Sequence, residues 1–303
     1  DHHLSHAASA FYSSGYKEAT CLSLDAFGDK KSGLIAEASI SKGIKKIQYI
    51  QSGNSLGNFY SSATEFLGYS DGDEYKVMGL ASYGKSNIDF SKIIKLNKNL
   101  WNINKFFFVQ QKTPFEHRYS ENFIRNFKKY KRTSDKKINT NHKNFAASVQ
   151  KTASNAIKNA FIHAKNLSKY KNNICYSGGV ALNCSAVKDI LYEKIFKNIY
   201  IPPNPSDRGL PLGCAYLGSI YLKQKPKPIS SPYLGSKYSD KEIKKELTNN
   251  NSNFKKPKNI TFIVAKLLSQ GKIIGWYQGR SEIGARALGN RSILADPRKK
   301  DMK

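Results

Sequence analysis

Two histidines near the start of the chain, His2 and His6, have the spacing of a metal-binding pair. Residues four apart on an α-helix lie on the same face, one turn above the other. Two imidazoles presented in this way can bind one divalent metal ion. His3 is rotated about 100° from His2 on such a helix, so we expect it to be structural. Taken alone, the pair is equally compatible with two helix-face histidines and no metal.

Two acids could complete a metal site. Asp25 ends a strand predicted for residues 17–25, and Asp207 follows a proline-rich turn. Mixed nitrogen and oxygen ligands suit Fe(II), Mn(II), Zn(II) or Mg(II) better than Cu(I), because no thiolate takes part. Each acid by itself is also typical of a turn or a helix cap. We expect both carboxylates and both imidazoles to meet around a single cation.

Anion binding is a second chemistry that the sequence indicates. Gly178 and Gly179 join a strand predicted at 173–176 to a helix predicted at 180–196. Glycines there let backbone N–H groups approach a phosphate, and the helix N-terminus favours negative charge. The segment is neither a P-loop nor a Rossmann fingerprint, and a tight strand-to-helix connection without a ligand would explain the same glycines.

Arginine is rare in this chain and clustered. Eight of the 50 basic residues are arginine, and four of these lie within residues 279–298. Guanidinium groups bind phosphate or carboxylate in a bidentate manner that lysine cannot reproduce. We therefore expect this segment to bind an anionic ligand. The alternative is structural pairing with an acid such as Glu282.

The elements that must position these residues indicate an α/β fold. Strand, helix, strand and helix alternate after a long helix predicted over 145–167 from its apolar spacing of three and four. We predict a first domain over 1–225, and over 226–303 a linker rich in proline, lysine and serine followed by the beginning of a second domain. Residues 86–142 carry no functional assignment. We expect His117 and His142 to be surface residues there, and we expect His163 to pack beside the long helix.

Composition narrows the function classes. Hydrophobic residues make up 39% of the 303 residues, which is enough for a core, and no apolar run is long enough to cross a membrane. The net charge of +28 comes mainly from lysines dispersed along the chain, which indicates compositional drift on a solvated surface. We therefore expect no nucleic-acid partner. The four cysteines lack metal-binding spacing, and we expect buried thiols in a reducing, cytoplasmic compartment.

Four segments, in this order, resemble the carbamoyltransferases of the nodulation-factor and antibiotic-tailoring type: HHLSHAASAF (2–11), EYKVMGLA (74–81), SGGVALNC (177–184) and RALGNRSILADPR (286–298). The resemblance implies an actin-like ATPase domain of the RNase H-like class, shared with the tRNA threonylcarbamoyl-transfer proteins. It also implies that a YrdC-like α/β domain begins after it. We expect the chain to be a fragment that lacks the first strands of the former and most of the latter, and to be inactive alone.

The resemblance also implies an activity. In the family, a C-terminal site converts carbamoyl phosphate and ATP to carbamoyl-adenylate, and an N-terminal site passes the carbamoyl group to a hydroxyl of a sugar or secondary metabolite. A divalent metal, Fe(II) by preference, then orients the adenylate phosphate. The metal ligands implied are His2, His6, Asp25 and Asp207. The nucleotide or carbamoyl phosphate contacts implied are Gly178, Gly179, Asn183, Ser55, Gly57, Lys76, Arg286 and Arg291.

Two other functions remain open at this point. A tRNA threonylcarbamoyl transferase would make use of the positive charge, and a basic nucleic-acid-binding module would need no catalysis. The partner we expect is a small hydroxyl-bearing acceptor, which the residues do not name. A homodimer is left open.

Overall fold

The computed structural model describes residues 1–109, 118–299 and 302, so His117 lies outside the described residues. The chain divides into two compact units, Asp1–Pro228 and Ile229–Lys303. Both units combine helices with strands, which confirms the α/β class. Within the described ranges, no helix has the length and apolar character needed to span a membrane.

The first unit contains seven strands and seven α-helices among its described residues. The strands are β1 (Glu18–Gly28), β2 (Lys31–Ser39), β3 (Gly43–Gln51), β4 (Ile94–Leu96), β5 (Trp101–Ile103), β6 (Asn173–Ser177) and β7 (Asn198–Tyr200). The helices are α1 (His2–Ser14), α2 (Leu56–Phe66), α3 (Glu74–Ala81), α4 (Glu121–Phe127), α5 (Thr140–Leu167), α6 (Cys184–Glu193) and α7 (Leu210–Tyr221). Residues 86–142, which the sequence left without a functional assignment, thus include the β4–β5 hairpin and α4.

A five-stranded mixed sheet organises this unit, with the strand order β3-β2-β1-β6-β7. The first three strands pair antiparallel, whereas β6 pairs parallel to both β1 and β7. Parallel strands end at the same edge of a sheet. Ser177 at the end of β6 pairs with Ser23, so the residues that follow β6 lie beside Leu24 and Asp25 of β1.

Apolar layers cover both faces of the sheet. On one face α1 and α7 contact each other, and Phe11 and Tyr216 belong to their buried cluster. On the other face α2 and α5 contact β1, and Phe66 and Phe161 are buried there. The hydrophobic stripe of α5 therefore packs as its spacing predicts.

The start of α5 corrects the expectation for His142. The helix begins five residues before the predicted start at 145, because Asn139 and His142 form a reciprocal cap. The Asn139 side chain accepts the His142 N–H at 3.2 Å, and His142 Nδ1 accepts the Asn139 N–H at 3.1 Å. Capping of this kind satisfies backbone donors that the first helical turn leaves unpaired. His142 is therefore buried, and the surface assignment was wrong.

The cysteines also correct an expectation. Cys21 and Cys175 are buried and face each other as register partners on β1 and β6. Cys184 and Cys214 are exposed, so the prediction of four buried thiols was wrong for these two. Small apolar neighbours did not distinguish a core strand from the outer side of a helix.

The second unit is smaller. It contains α8 (Asp240–Asn249), α9 (Ile260–Ser269) and an antiparallel pair formed by β8 (Ile274–Tyr277) and β9 (Arg291–Leu294). The arginine-rich segment supplies β9 and the loop before it.

Candidate metal centre

Helix α1 presents the two imidazoles. It begins at His2 because the Asp1 side chain accepts the Leu4 N–H at 2.9 Å, which is a normal helix cap. The rings of His2 and His6 lie one turn apart, with centroids 4.8 Å apart and planes at 77°. His3 points elsewhere, toward the Ser23 hydroxyl at 3.2 Å, as expected for a structural residue.

An irregularity in β1 aims Asp25 at the two imidazoles. Leu24 pairs with Gly33 and Gly28 pairs with Lys31, so β1 advances four residues while β2 advances two. Extra residues of this kind bend a strand and redirect its side chains. The Asp25 Oδ1 atom accepts the neighbouring Ala26 N–H at 2.8 Å, and Oδ2 faces the histidines.

Asp207 comes from the other end of the unit. It opens a 3-10 turn that leads into α7, and α7 packs closely on α1. A Cβ on Gly213 would overlap the Ser5 carbonyl, so this helix crossing requires glycine. The close crossing places the Asp207 carboxylate beside the histidines.

The four side chains face one point. Asp25 Oδ2 lies 3.3 Å from His2 Nε2 and 2.8 Å from His6 Nε2. Asp207 Oδ1 lies 3.5 Å from His2 Nε2 and 3.3 Å from His6 Nε2. Two ligands about 2.1 Å from a common ion stand roughly 3.0 Å apart at a right angle and about 3.4 Å apart at the tetrahedral angle. The spacing and the donor set therefore fit a divalent metal.

Burial and hydrogen bonding set the charges at this centre. Burial alone would lower the pKa of His6, but its hydrogen bonds to Asp207 and Asp25 raise that pKa above its usual value. Burial alone would raise the pKa of Asp25, but its hydrogen bonds to His2 and His6 hold that pKa well below its usual value. Asp25 is thus kept as a carboxylate, which is the form that binds a metal.

The glycine pair lies directly against this centre. Gly178 adopts φ 89° and ψ 161°, and a Cβ there would overlap the Leu24 carbonyl. A Cβ on Gly179 would lie 3.0 Å from Asp25 Oδ1. The Gly178 N–H donates to the Pro205 carbonyl at 2.7 Å, which ties the turn to the loop that carries Asp207. A 3-10 turn, Gly179–Leu182, and then α6 follow in place of the single helix predicted at 180–196.

Comparison with known proteins identifies the family. The family model described as carbamoyltransferase N-terminus matches residues 1–216, and the one described as carbamoyltransferase C-terminus matches residues 265–303. The chain belongs to the carbamoyltransferase family. The resemblance drawn from the four sequence motifs is confirmed.

Relatives in this family match nearly all of the chain. Nodulation protein NolNO of Sinorhizobium fredii is 33% identical, with 98% of this chain and 43% of that protein covered. Nodulation protein NolO of Bradyrhizobium diazoefficiens is 32% identical, with 98% and 53% covered. Uncharacterized protein MJ1058 of Methanocaldococcus jannaschii is 33% identical, with 98% and 51% covered. The chain spans about half the length of the curated relatives it matches.

Two further candidate residues contact the backbone beside Asp25. The Ser55 hydroxyl donates to the Ala26 carbonyl at 2.6 Å and accepts the Asn58 N–H at 3.0 Å, which caps α2. A Cβ on Gly57 would come within 2.5 Å of the Ala26 nitrogen. Ser55 and Gly57 therefore pack α2 closely against the backbone that follows Asp25.

The side chains of Lys76 and Asn183 contact other residues of the first unit. Lys76 on α3 forms an ion pair with Asp73 at 3.0 Å. Asn183 caps α6 through the Ala186 N–H at 3.0 Å. Its side-chain amide also exchanges two hydrogen bonds with Gln150, at 3.0 and 3.1 Å.

Gln150 is a residue that sequence reasoning missed. It lies on α5, is buried, and also accepts the Tyr60 hydroxyl hydrogen at 2.8 Å. The network therefore links α2, α5 and the segment after the glycine pair. A polar amide beside the apolar stripe of a long helix was the available signal, since buried amides require partners.

In the second unit, Arg291 pairs with Glu282, with Nε 3.3 Å from Oε2. Glu282 also accepts the N–H groups of Leu288 and Asn290 at 3.0 and 2.7 Å. This is the structural pairing that the sequence left as the alternative for Arg291. Arg286 lies in the loop before β9.

Proposed function

We propose that this carbamoyltransferase holds a divalent metal, Fe(II) by preference, between His2, His6, Asp25 and Asp207. We further propose that it transfers a carbamoyl group from carbamoyl-adenylate to a hydroxyl of a sugar or secondary metabolite. The observation that carries the proposal is the set of four ligand atoms, which lie within 4.8 Å of one another and come from three separate segments, α1, β1 and the turn before α7. In this reaction the bound metal supplies positive charge that stabilises the adenylate phosphate and its departure as AMP.

The protein's own groups position the reactants next to the metal. The acceptor oxygen forms a bond to the carbamoyl carbon, the bond from that carbon to the adenylate phosphate breaks, and the acceptor proton is released. Because Pro205 already engages the Gly178 N–H, we assign the phosphate contact to the Gly179 N–H. Holding the acceptor next to the carbonyl supplies much of the remaining acceleration.

The same proposal includes an actin-like ATPase fold for the first unit and carbamoyl-adenylate formation from carbamoyl phosphate and ATP in a YrdC-like domain. Three antiparallel strands continued by two parallel strands support the former. Four free cysteines support a reducing compartment such as the cytoplasm. We carry the anion-binding role for Arg286 and Arg291, the second of which also pairs with Glu282 through Nε.

Metal stoichiometry tests the centre. The purified chain is loaded anaerobically with Fe(II), or with Co(II) as a spectroscopic substitute, and bound metal is measured by mass spectrometry after gel filtration. We expect one equivalent for the wild type and a large loss in His6→Ala. His163→Ala is the matched control, since His163 is also a buried helical histidine, hydrogen-bonded to Gln48 at 2.9 Å. Equal metal content in the two variants would refute the assignment.

Nucleotide binding tests the role of the centre. AMP binding, measured by calorimetry, should be tighter with Mn(II) present than without it, and Asp25→Asn should abolish the difference. A nucleic-acid-binding protein would instead show binding to RNA that weakens steeply with salt and does not respond to His6→Ala. AMP binding that ignores both the metal and Asp25 would contradict the proposed transfer site.

A further inference from the structure

The β1–β2 hairpin tip contacts His2 at two points. The Asp29 carboxylate accepts the His2 backbone N–H at 2.8 Å, where α1 begins. Gly28 lies against the His2 ring, and a Cβ at this position would come within 2.6 Å of three ring atoms, Cγ, Cδ2 and Nδ1. The other three ligands of the centre are held by different contacts, so the tip acts on His2 in particular.

The close approach of the His2 ring, and not the backbone conformation, explains why position 28 is glycine. Its φ lies outside the left-handed region, so alanine is allowed by the main chain. Glycine inside a strand is otherwise unfavourable and marks a close approach by another group. A methyl group here would push the ring away from the hairpin, and Nε2 would leave its place 3.3 Å from Asp25.

Asp29 fixes the other end of the same residue. Asp29 and Lys30 have φ values of 49° and 61°, which form the tight turn between the two strands. That turn presents the Asp29 carboxylate to the first N–H of α1. An acid at this end of a helix stabilises both the N–H and the helix dipole. The start of α1, and with it the position of the His2 Cα, is therefore tied to the hairpin.

We propose that Gly28 and Asp29 are positioning residues for the metal centre, which place the His2 imidazole by its ring face and by its backbone N–H. This inference rests on the proposed metal site. Both residues act through His2 and need not contact the metal or a substrate. It extends the centre from four ligands to the strand turn that holds one of them.

The test is a double-mutant cycle read by Co(II) affinity and by the Co(II) visible spectrum. Gly28→Ala should weaken Co(II) binding by about 10- to 100-fold, the usual effect of losing a group that orients a ligand. In a His2→Ala background the same change should have no further effect, because its target is gone. Gly79→Ala on α3 is the control, since a Cβ there meets nothing within 4 Å.

Asp29→Gly provides a second variant that keeps the left-handed turn while removing the carboxylate. It should also weaken Co(II) binding only when His2 is present, and Asp29→Asn, which retains an acceptor oxygen, should restore part of the affinity. Equal weakening with and without His2, or a wild-type Co(II) spectrum in Gly28→Ala, would overturn the inference while the metal site stands. Absence of Co(II) binding by the wild type would overturn both.

Discussion

Replacing Gly178 by alanine should destabilise the first unit strongly, because two separate effects act at one position. The backbone angles of φ 89° and ψ 161° belong to a region that only glycine occupies readily. The added methyl group would also overlap the Leu24 carbonyl on β1. Neither β1 nor the Pro205 loop that receives the Gly178 N–H can move without disturbing the sheet edge.

The magnitude follows from these two costs. Forcing alanine into this region costs about 1–3 kcal/mol, and the clash with backbone brings the loss of unfolding free energy to about 3 kcal/mol or more. A unit of about 230 residues shifts its melting temperature by about 2–4 °C per kcal/mol. Differential scanning calorimetry of the metal-free chain should therefore show a decrease of at least about 6 °C.

Gly179→Ala is the matched comparison. Its φ is not in the left-handed region, and its Cβ would meet only Asp25 Oδ1, at 3.0 Å. We expect a melting temperature within about 2 °C of the wild type but weaker metal binding, because the carboxylate must give way. Similar melting temperatures for Gly178→Ala and the wild type would refute the strain argument. Strong destabilisation by both substitutions would show that the turn tolerates no side chain for some other reason.

Three further predictions follow from the same structure. Of the four thiols, Cys184 and Cys214 should react with Ellman's reagent in the native chain, and the two core cysteines should react only after unfolding. Burial and a nearby guanidinium lower the pKa of His142, so the folded chain binds fewer protons there than the unfolded chain. Its contribution to stability should be lost as the pH falls below about 6.5, and His142→Gln should flatten that decline in thermal melts. Gln150→Leu should lower the unfolding free energy in urea by about 1–3 kcal/mol, because the buried Tyr60 hydroxyl and the partly buried Asn183 amide lose their partner.

Part of the candidate centre was predictable from local rules. Helical periodicity alone places His2 and His6 on one face. The strand that carries Asp25 was also predictable, although β1 continues past this residue to Gly28. The α/β class followed from the alternation of strands and helices. These rules use only neighbours in the sequence, which is why one chain was sufficient to find them.

The remaining features depend on contacts that are distant in sequence. Arg291 faces Glu282 because the intervening loop folds back, and composition does not reveal which anion an arginine meets. The exposure of Cys214 depends on which side of α7 packs against α1. The irregular pairing after Leu24 depends on β2, and it decides where the Asp25 carboxylate points. No local pattern encodes these relations.

The centre is shielded unequally, and this bears on how the proposed reaction proceeds. The side chains of His6, Asp25 and His2 are 1%, 10% and 15% exposed, whereas that of Asp207 is 65% exposed. We therefore expect the proposed metal, nucleotide and acceptor to approach from the Asp207 side. The Gly178 N–H bonds to Pro205 two residues before Asp207, so the turn assigned to the phosphate and the exposed ligand are linked on that side. For the proposed transfer, in which the reacting carbamoyl group must be kept from water, we expect the shielding group to cover Asp207.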